Sequence, residues 1–357
     1  MIGTTASFAH RAAALGVAAV VLSVSVATQS KPRPTNGAAP LPGAEAVRAL
    51  TAGRTAPNWA APKTPWGDPD LQGIFTSKDE ANTPFERPAK WAGRRMDDIT
   101  AAELAADVVE RQQRAVEQAP FAGGGEEEDG VAIAVPIHWF DSLTAKNSRP
   151  WHLIDPVDGT IPPVIPTGSS RAMPRRGRNG GARDSYTDRS SADRCITQTW
   201  RGPGLYGNSF HILQTRGYVV FRREQIHEAR IFPLDGGPHV SANVRPYQGD
   251  GRAHWDGNTL VVEVTNFNEN QDFRGYSVRN LRLIERFTRI AADTVEWSVT
   301  VDDPTIWSRP WTYSIPLTQD STQMIHEYAC HEGNYGLANI LSAGRAAEAR
   351  PTGEKAR

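Results

Sequence analysis

The C-terminal part of the chain contains the densest group of residues that could carry out chemistry. The stretch HEYACHEGN, residues 326–334, holds two histidines, two glutamates and one of the two cysteines in the sequence. His326 and His331 are five positions apart, one more than in the HExxH motif of helical zinc proteases. On a strand, this spacing places the two histidines on opposite faces. A site in this stretch therefore needs partners from other elements of the fold.

Those elements are predicted to be β-strands. From about residue 210 onward, eight segments with strand character are separated by turn-like residues. In one of them, Val295, Trp297 and Val299 alternate with polar residues, which predicts one face in a core and one in water. The sequence therefore predicts a mainly β protein, an antiparallel, up-and-down, lipocalin-like barrel of about eight strands, with an open sheet or sandwich as the alternative. The predicted strands are 210–214, 217–223, 227–234, 259–267, 280–290, 293–303, 311–317 and 323–330.

The order of the hairpins predicts which strand ends meet. The third strand begins, and the fourth, sixth and eighth end, at the end of the barrel where the first strand begins, here called the near end. His227 alternates in phase with Ala229 and Ile231 if its strand is continuous, which would point it inward. The predicted acid/base residues of a near-end site are His227, His331, Asp302, Asp303 and Glu332, and the predicted ligand-binding residues are Asn266, Trp307, Trp311 and Asn334.

A histidine beside a carboxylate at the rim of an apolar cavity suits general acid/base chemistry near neutral pH. The alternative is that these polar residues only cap the barrel where its backbone meets water. His227, His331 and an Asp could also hold a divalent metal ion. No tight metal motif is present, so no cofactor is evident. A second polar group, predicted at the opposite end, consists of His239, His254 and Asp256.

Composition limits the classes of partner. The 357-residue chain has a formal net charge of −1, so no global field favours nucleic acid or a membrane. Hydrophobic residues make up 39% of the chain, a low share that predicts an extended or loosely packed part. No nucleophile elbow, phosphate loop or dinucleotide fingerprint occurs in the sequence. A small-molecule ligand or substrate is therefore the expected partner, and the sequence leaves the oligomeric state open.

The N-terminus predicts export. An apolar run, residues 12–27, follows Arg11 and ends in the small-x-small sequence Ser25-Val26-Ala27, as in a cleaved signal peptide. A single-pass anchor is the alternative, but the run is shorter than the ~20 residues that a membrane span needs. We expect a periplasmic or secreted protein that starts near Thr28 and has no stable membrane insertion after cleavage. In such a compartment the two cysteines, Cys195 and Cys330, are expected to form a disulfide, with two free thiols as the alternative.

The predicted organisation has five parts. Thr100 and Glu103 have the spacing of a capping box at the start of a helix over about 99–118. The parts are a signal peptide (1–27), a Pro/Ala-rich linker (28–64), an irregular region with that helix that wraps the barrel (65–194), the barrel domain (195–345) and a polar tail (346–357).

Several segments in order resemble a large group of exported bacterial proteins. They include PWGDPDLQGIF, DRCI, IHEARIFPLDGGPH, HWDGNTLVVEVTNF, LIERFTR, TVDDPTIWSRPWT and HEYACHEGNYGL, and they cover most of the chain from about residue 65 to residue 345. The resemblance implies export and transfers no catalytic residue. Three functions stay open. The first is a barrel that binds an apolar or aromatic small molecule, with or without transforming it. The second is a lyase, isomerase or hydrolase with its site at the barrel mouth, and the third is a carbohydrate-surface protein whose tryptophans stack on sugars.

Overall fold

The computed structural model describes residues 40–117, 145–169, 172, 183–197, 209–319 and 324–349. The predicted signal peptide lies outside these residues. The helices are α1 (Ala44–Arg54), α2 (Ala101–Glu117), α3 (Pro166–Ser169) and α4 (Tyr335–Glu348). The strands are β1 (Gly73–Thr76), β2 (Leu153–Asp155), β3 (Ser209–Thr215), β4 (Tyr218–Arg223), β5 (Ala229–Pro233), β6 (Asp250–Asp256), β7 (Thr259–Thr265), β8 (Asp272–Phe273), β9 (Tyr276–Ser277), β10 (Arg282–Ala291), β11 (Thr294–Asp302) and β12 (Trp311–Gln319).

Nine strands form one nearly closed antiparallel barrel. Their order across the sheet is β5-β4-β3-β1-β12-β11-β10-β7-β6, and β2 pairs with β12 outside this path. Read around the barrel, this order follows the order of the chain, so the topology is up-and-down. The mainly β, lipocalin-like prediction is confirmed, with nine strands in place of about eight. The hairpin β8–β9 forms a separate two-stranded sheet.

The barrel has a seam between β5 and β6, the two ends of the strand order. All other neighbouring strands of the barrel are antiparallel. Because the number of strands is odd, β5 and β6 must then run in the same direction. Parallel neighbours need a long crossover, and residues 234–249 supply that connection. The odd strand number therefore explains both the seam and the long loop beside it.

Two strand predictions were wrong. Residues 324–330 form no strand, although 323–330 was predicted as the eighth. The position beside the last barrel strand is taken by β1, whose Thr76 pairs with both Thr318 and Ser209, so no edge remains there for a later strand. Conversely, β6 was predicted to be part of a connection. Its inward residues include a glycine, Gly251, and the apolar alternation is correspondingly weak.

The prediction that β11 has one face in water was also wrong. Its polar residues Glu296, Ser298 and Thr300 are all buried. Arg149 reaches this outer face and donates to the Glu296 carboxylate at 3.0 Å and to the Ser314 carbonyl at 3.0 Å. The polar half of the alternation therefore marks a second buried layer, in which hydrogen bonds replace water.

The helices differ partly from the prediction. At the start of α2, Thr100 and Glu103 form the reciprocal bonds of the predicted capping box. The sequence analysis missed α1, which lies in the predicted linker, and α4, which crosses the predicted boundary between barrel domain and tail. Among the described residues, no helix has both the length and the apolar character needed to cross a membrane.

Candidate functional site

A pocket opens into the barrel interior at the near end. The pocket is partly open to solvent. Three of the lining side chains are aromatic and four are polar. The lining residues are Phe210, Phe221, Arg223, Glu228, Arg230, Gln248 and Trp297.

The turn between β4 and β5 positions Arg223 and Glu228 at the rim. The backbone N–H of Arg223 donates to the Glu228 carbonyl at 2.7 Å, which extends the strand pairing by one step. Between them, Ile226 and His227 both have positive φ, 56° and 53°, a conformation that is unusual for a β-branched residue such as Ile. This turn interrupts the strand predicted over 227–234. His227 is consequently exposed, and the prediction that it points inward was wrong.

One lining residue of the pocket, Arg230, belongs to a buried ion pair. Arg230 donates to both carboxylate oxygens of Glu285, with one bond of 3.0 Å, and the indole N–H of Trp297 donates to the same carboxylate at 3.1 Å. Glu285 is fully buried, and these hydrogen bonds compensate the charge of its carboxylate. Burial, together with the Glu285 charge, raises the pKa of the Tyr313 phenol.

The apolar wall is a cluster of aromatic rings. The centroids of Phe210 and Phe221 are 5.0 Å apart, and those of Phe221 and Trp297 are 5.5 Å apart. Phe287 stacks beneath Trp297 at 5.9 Å with an interplanar angle of 6°. The Arg223 guanidinium lies 5.7 Å from the Phe210 centroid. The pocket thus offers ring faces beside charged and amide groups.

The predicted disulfide, Cys195–Cys330, is present, with a Cα–Cα distance of 5.8 Å. Both segments that it joins contact the pocket rim. The Thr197 hydroxyl donates to the Glu228 carboxylate, and the Gln248 amide donates to the same carboxylate at 2.9 Å. On the other segment, the N–H of Tyr328 donates to Nε2 of His227 at 3.0 Å. The disulfide therefore holds two segments against one side of the near end.

The predicted acid/base residues are not among those that line this pocket. His331 and Glu332 are exposed, and Asp302 pairs with Arg282 at 3.4 Å. Asp303 is buried and accepts from the N–H and hydroxyl of Thr305 at 2.9 and 2.6 Å. The described residues contain no group of three or more metal-binding side chains.

The predicted ligand-binding residues make contacts within the protein. The Asn266 amide donates to the Val240 carbonyl at 3.0 Å. Asn334 accepts from the N–H of Leu337 at 3.3 Å and so caps α4. Trp307 and Trp311 are only 3% and 0% exposed, with ring centroids 5.7 Å apart in the core.

The second polar group is divided between the two ends. His239, predicted at the far end, bonds through Nδ1 to the Asp250 carboxylate at 2.8 Å. Asp250 begins β6 at the near end, so that placement was wrong. His254 and Asp256 are exposed residues near the other end of β6.

The sequence analysis missed most residues that line the pocket. Glu285 carries the clearest signal that could have found them, because it lies in phase with the apolar residues Leu283 and Phe287 of β10, which belong to the core. A carboxylate on an inward position must have a charged or hydrogen-bonding partner. The inward Arg230 on β5 is that partner.

Comparisons with known proteins add little to this description. No protein-family model and no curated protein matches the chain. A similar solved structure is that of a secretary abundant heat soluble (SAHS) protein from Ramazzottius varieornatus, with 13% sequence identity over 37% of this chain and 87% of that one, and a TM-score of 0.24. A TM-score of this size supports no statement about function, so the site is interpreted from its own geometry.

Proposed function

We propose that the barrel binds a small aromatic or apolar molecule with one polar group in the near-end pocket. The observation that carries the proposal is the combination of Phe210, Phe221 and Trp297 with polar side chains in a single cavity of the barrel interior. Ring faces attract a flat apolar ligand through offset or edge contacts. A few convergent polar groups then fix its orientation, as in most small-molecule sites.

The chemistry of the lining narrows the ligand. Its three aromatic side chains suit the face of a flat ring. The Glu285 charge is compensated by Arg230, and one Glu228 oxygen accepts from Thr197 and Gln248. Donors outnumber acceptors in the lining, because Arg223, Arg230 and Gln248 all carry N–H groups and Glu228 is its one carboxylate. A carboxylate, phenolic or similar oxygen is therefore the polar group that we favour.

Calorimetry with three probes that share a ring and differ in charge tests this proposal: benzoate, benzyl alcohol and benzylammonium. We expect benzoate to bind most tightly, and Arg223→Leu to weaken it at least about tenfold by removing a charge-assisted bond. Arg222→Leu is the matched control, because Arg222 directly precedes Arg223 on β4 and is not part of the pocket lining. If no probe binds at millimolar concentration and native mass spectrometry finds no co-purified small molecule, the proposal is wrong.

Acid/base catalysis is the second candidate. Its support is limited to the position of His227 next to Glu228, since the side chains of His227 and His331 are exposed and do not line the pocket. The carbohydrate-surface function has less support, since Trp91, Trp151, Trp297, Trp307 and Trp311 are all buried. Those rings are not available to stack on a sugar.

Export to the periplasm or the medium is part of the proposal. The disulfide supports it, because such bonds form and persist mainly in oxidising compartments. N-terminal sequencing of the purified protein checks it, with Thr28 or a close neighbour expected as the first residue. An intact Met1 on cytoplasmic protein would contradict it.

A further inference from the structure

His239 and Asp250 form a histidine–carboxylate pair outside the pocket lining. Nδ1 of His239 lies 2.8 Å from the Asp250 carboxylate. The same carboxylate accepts from the N–H of Val240 at 3.1 Å and from Nε of Arg252 at 3.3 Å. Donors from the long connection 234–249 and from β6 therefore fix the carboxylate, which in turn fixes the orientation of the imidazole ring.

The charge state of the pair leaves one ring nitrogen available for chemistry. Burial alone would raise the pKa of the Asp250 carboxyl, but the hydrogen bonds from His239, Val240 and Arg252 outweigh burial and lower the pKa. An ionised carboxylate accepts from Nδ1–H, so the neutral ring carries its lone pair on Nε2. Within the described part of the chain, Nε2 of His239 has no hydrogen-bond partner, and the side chain is 30% exposed.

The pair lies beside the rim of the near-end pocket. Asp250 is the first residue of β6, and Gln248, two positions earlier, is part of the pocket lining. Two residues of chain span at most about 7 Å. Gly249, between them, has a φ of 70°, and a Cβ there would lie 2.7 Å from the carbonyl oxygen of Thr265, so the rim is closely packed at this point. A molecule that is held in the pocket and extends over the rim can therefore reach the pair.

We propose that His239 and Asp250 form a general-base pair that hydrolyses an ester of the aromatic molecule bound in the pocket, an inference that rests on the proposed binding function. A histidine oriented by a carboxylate suits a general base near neutral pH. The ligand favoured for the pocket carries a carboxylate, which is the group that ester hydrolysis releases. Because Nε2 has no serine or cysteine partner among the described residues, the attacking group is water.

The reaction needs two proton transfers through the same ring nitrogen. Nε2 of His239 accepts a proton from a water molecule while the water oxygen bonds to the ester carbonyl carbon. The ester C–O bond then breaks, and the proton passes from Nε2 to the leaving alcohol oxygen. Asp250 is a positioning residue, which orients the ring and stabilises its positive charge between the two transfers. The products are an aromatic carboxylic acid and an alcohol, so the reaction consumes only water and the ester.

Hydrolysis of para-nitrophenyl benzoate by the full chain tests the proposal, with the released nitrophenolate measured by absorbance. His239→Asn should lower kcat/KM at least about 100-fold, because it removes the general base. Exposed imidazoles also cleave activated esters, so His254→Asn is the matched control. His254 is exposed on β6, the strand that begins at Asp250, and its loss should leave the rate unchanged.

Two further measurements test the role of Asp250 and the link to the pocket. Asp250→Asn should lower kcat at least about tenfold with KM nearly unchanged, because the ring loses the group that orients it, and Asp250→Glu should restore part of the loss. Benzoate should inhibit competitively, because the acid half of the ester occupies the pocket. Para-nitrophenyl acetate, which lacks the ring, should have a higher KM than the benzoate ester.

Three outcomes would overturn the inference. They are a wild-type rate no higher than that of free imidazole at the same concentration, equal losses in His239→Asn and His254→Asn, and hydrolysis that benzoate does not inhibit. If benzoate binds in calorimetry but the ester is not cleaved, only this inference fails and the proposed binding function stands. Thermal unfolding confirms that each variant is folded. If His239→Asn is not, His239→Gln replaces it, and unchanged hydrolysis by that variant would equally refute the proposal.

Discussion

The ring of Phe232 lies against the backbone of Gly251 across the seam between β5 and β6. A Cβ atom at Gly251 would lie 2.7 Å from Cδ1 and 2.8 Å from Cε1 of that ring, closer than carbon atoms normally approach. Phe232 is 2% exposed and packs with the barrel core. Because β5 and β6 are not joined by backbone hydrogen bonds, this side-chain contact closes the barrel at the seam.

Gly251→Ala should destabilise the protein. The added methyl must displace a buried ring, and overpacking of this kind costs about 1–3 kcal/mol. Chemical denaturation measures the loss in the free energy of unfolding. Gly53→Ala is the control, because Gly53 lies within α1 with no atom within 4 Å of the added Cβ, and it should be neutral or slightly stabilising. Equal effects of both substitutions would show that the seam is not packed in this way.

The Arg230–Glu285 pair should show strong coupling. Arg230→Met or Glu285→Gln leaves the other group buried without its partner, and we expect each to cost about 3–5 kcal/mol. The double variant should cost clearly less than the sum, as a double-mutant cycle by urea denaturation would measure. Glu269→Gln is the control from an exposed pair with Arg279 and should change stability by less than about 1 kcal/mol. Additive losses in the cycle would exclude a direct ion pair.

His152 should make stability depend on mild acid. Burial, assisted by the Arg149 charge, lowers its pKa from 6.5 to about 3. The unfolded chain therefore binds a proton below about pH 6.5 that the folded chain does not, so stability falls as pH falls through this window. We expect the wild type to lose about 2 kcal/mol more than His152→Asn between about pH 7 and about pH 5. The amide can still donate to the Ser314 carbonyl, which His152 contacts through Nδ1.

Urea denaturation at the two pH values measures this difference. Burial alone would raise the pKa of the Glu296 carboxyl, but the Arg149 charge and the hydrogen bonds to the carboxylate outweigh burial and lower the pKa. Measurements that stop at about pH 5 therefore avoid the pH range in which Glu296 affects stability most. Glu296 would lose its contribution only at more acidic pH, below the pKa of an unfolded glutamate. Parallel pH dependence in the wild type and His152→Asn would mean that His152 does not titrate on unfolding.

Removing the disulfide should lower stability and loosen the pocket rim. Cys195 and Cys330 are separated by 135 residues, and opening so long a loop costs about 4–5 kcal/mol in the chain-entropy model. The double substitution Cys195→Ser and Cys330→Ser should also increase hydrogen exchange at Thr197 and Tyr328, which contact Glu228 and His227. Amides of β10 and β11 are the internal control. Unchanged exchange at the rim would show that the disulfide does not hold these segments.

The sequence predicted the topology of the barrel well because strand alternation and hairpin order are local signals. They place the ends of β4, β7 and β11 at one end of the barrel, as observed. The disulfide was predicted from compartment and cysteine count alone. The prediction of a final strand was wrong because alternation around His326 does not reveal whether the edge of the neighbouring strand is free. That edge, on β12, is occupied by Gly73–Thr76, which lies far upstream in the sequence.

The site was less predictable because it depends on which face of each strand is inward and on what covers the outer face. The positive φ at His227 turns its side chain out, whereas the neighbouring Glu228 joins the pocket. Likewise, Trp307 and Trp311 have the composition of a binding wall but pack into the core. Only long-range contacts decide these orientations.

His227 should act mainly as an anchor for residues 326–330. Its Nε2 accepts from the N–H of Tyr328, and the ring is exposed. Loss of one such bond costs about 1 kcal/mol, so His227→Ala should lower the free energy of unfolding by about that amount and increase hydrogen exchange at Tyr328. Binding of the aromatic probes should change little. His331→Ala is the matched control, since His331 is exposed, and it should change neither quantity. If both substitutions abolish binding or turnover and leave the melting temperature unchanged, the two histidines belong to an acid/base site as the sequence first indicated.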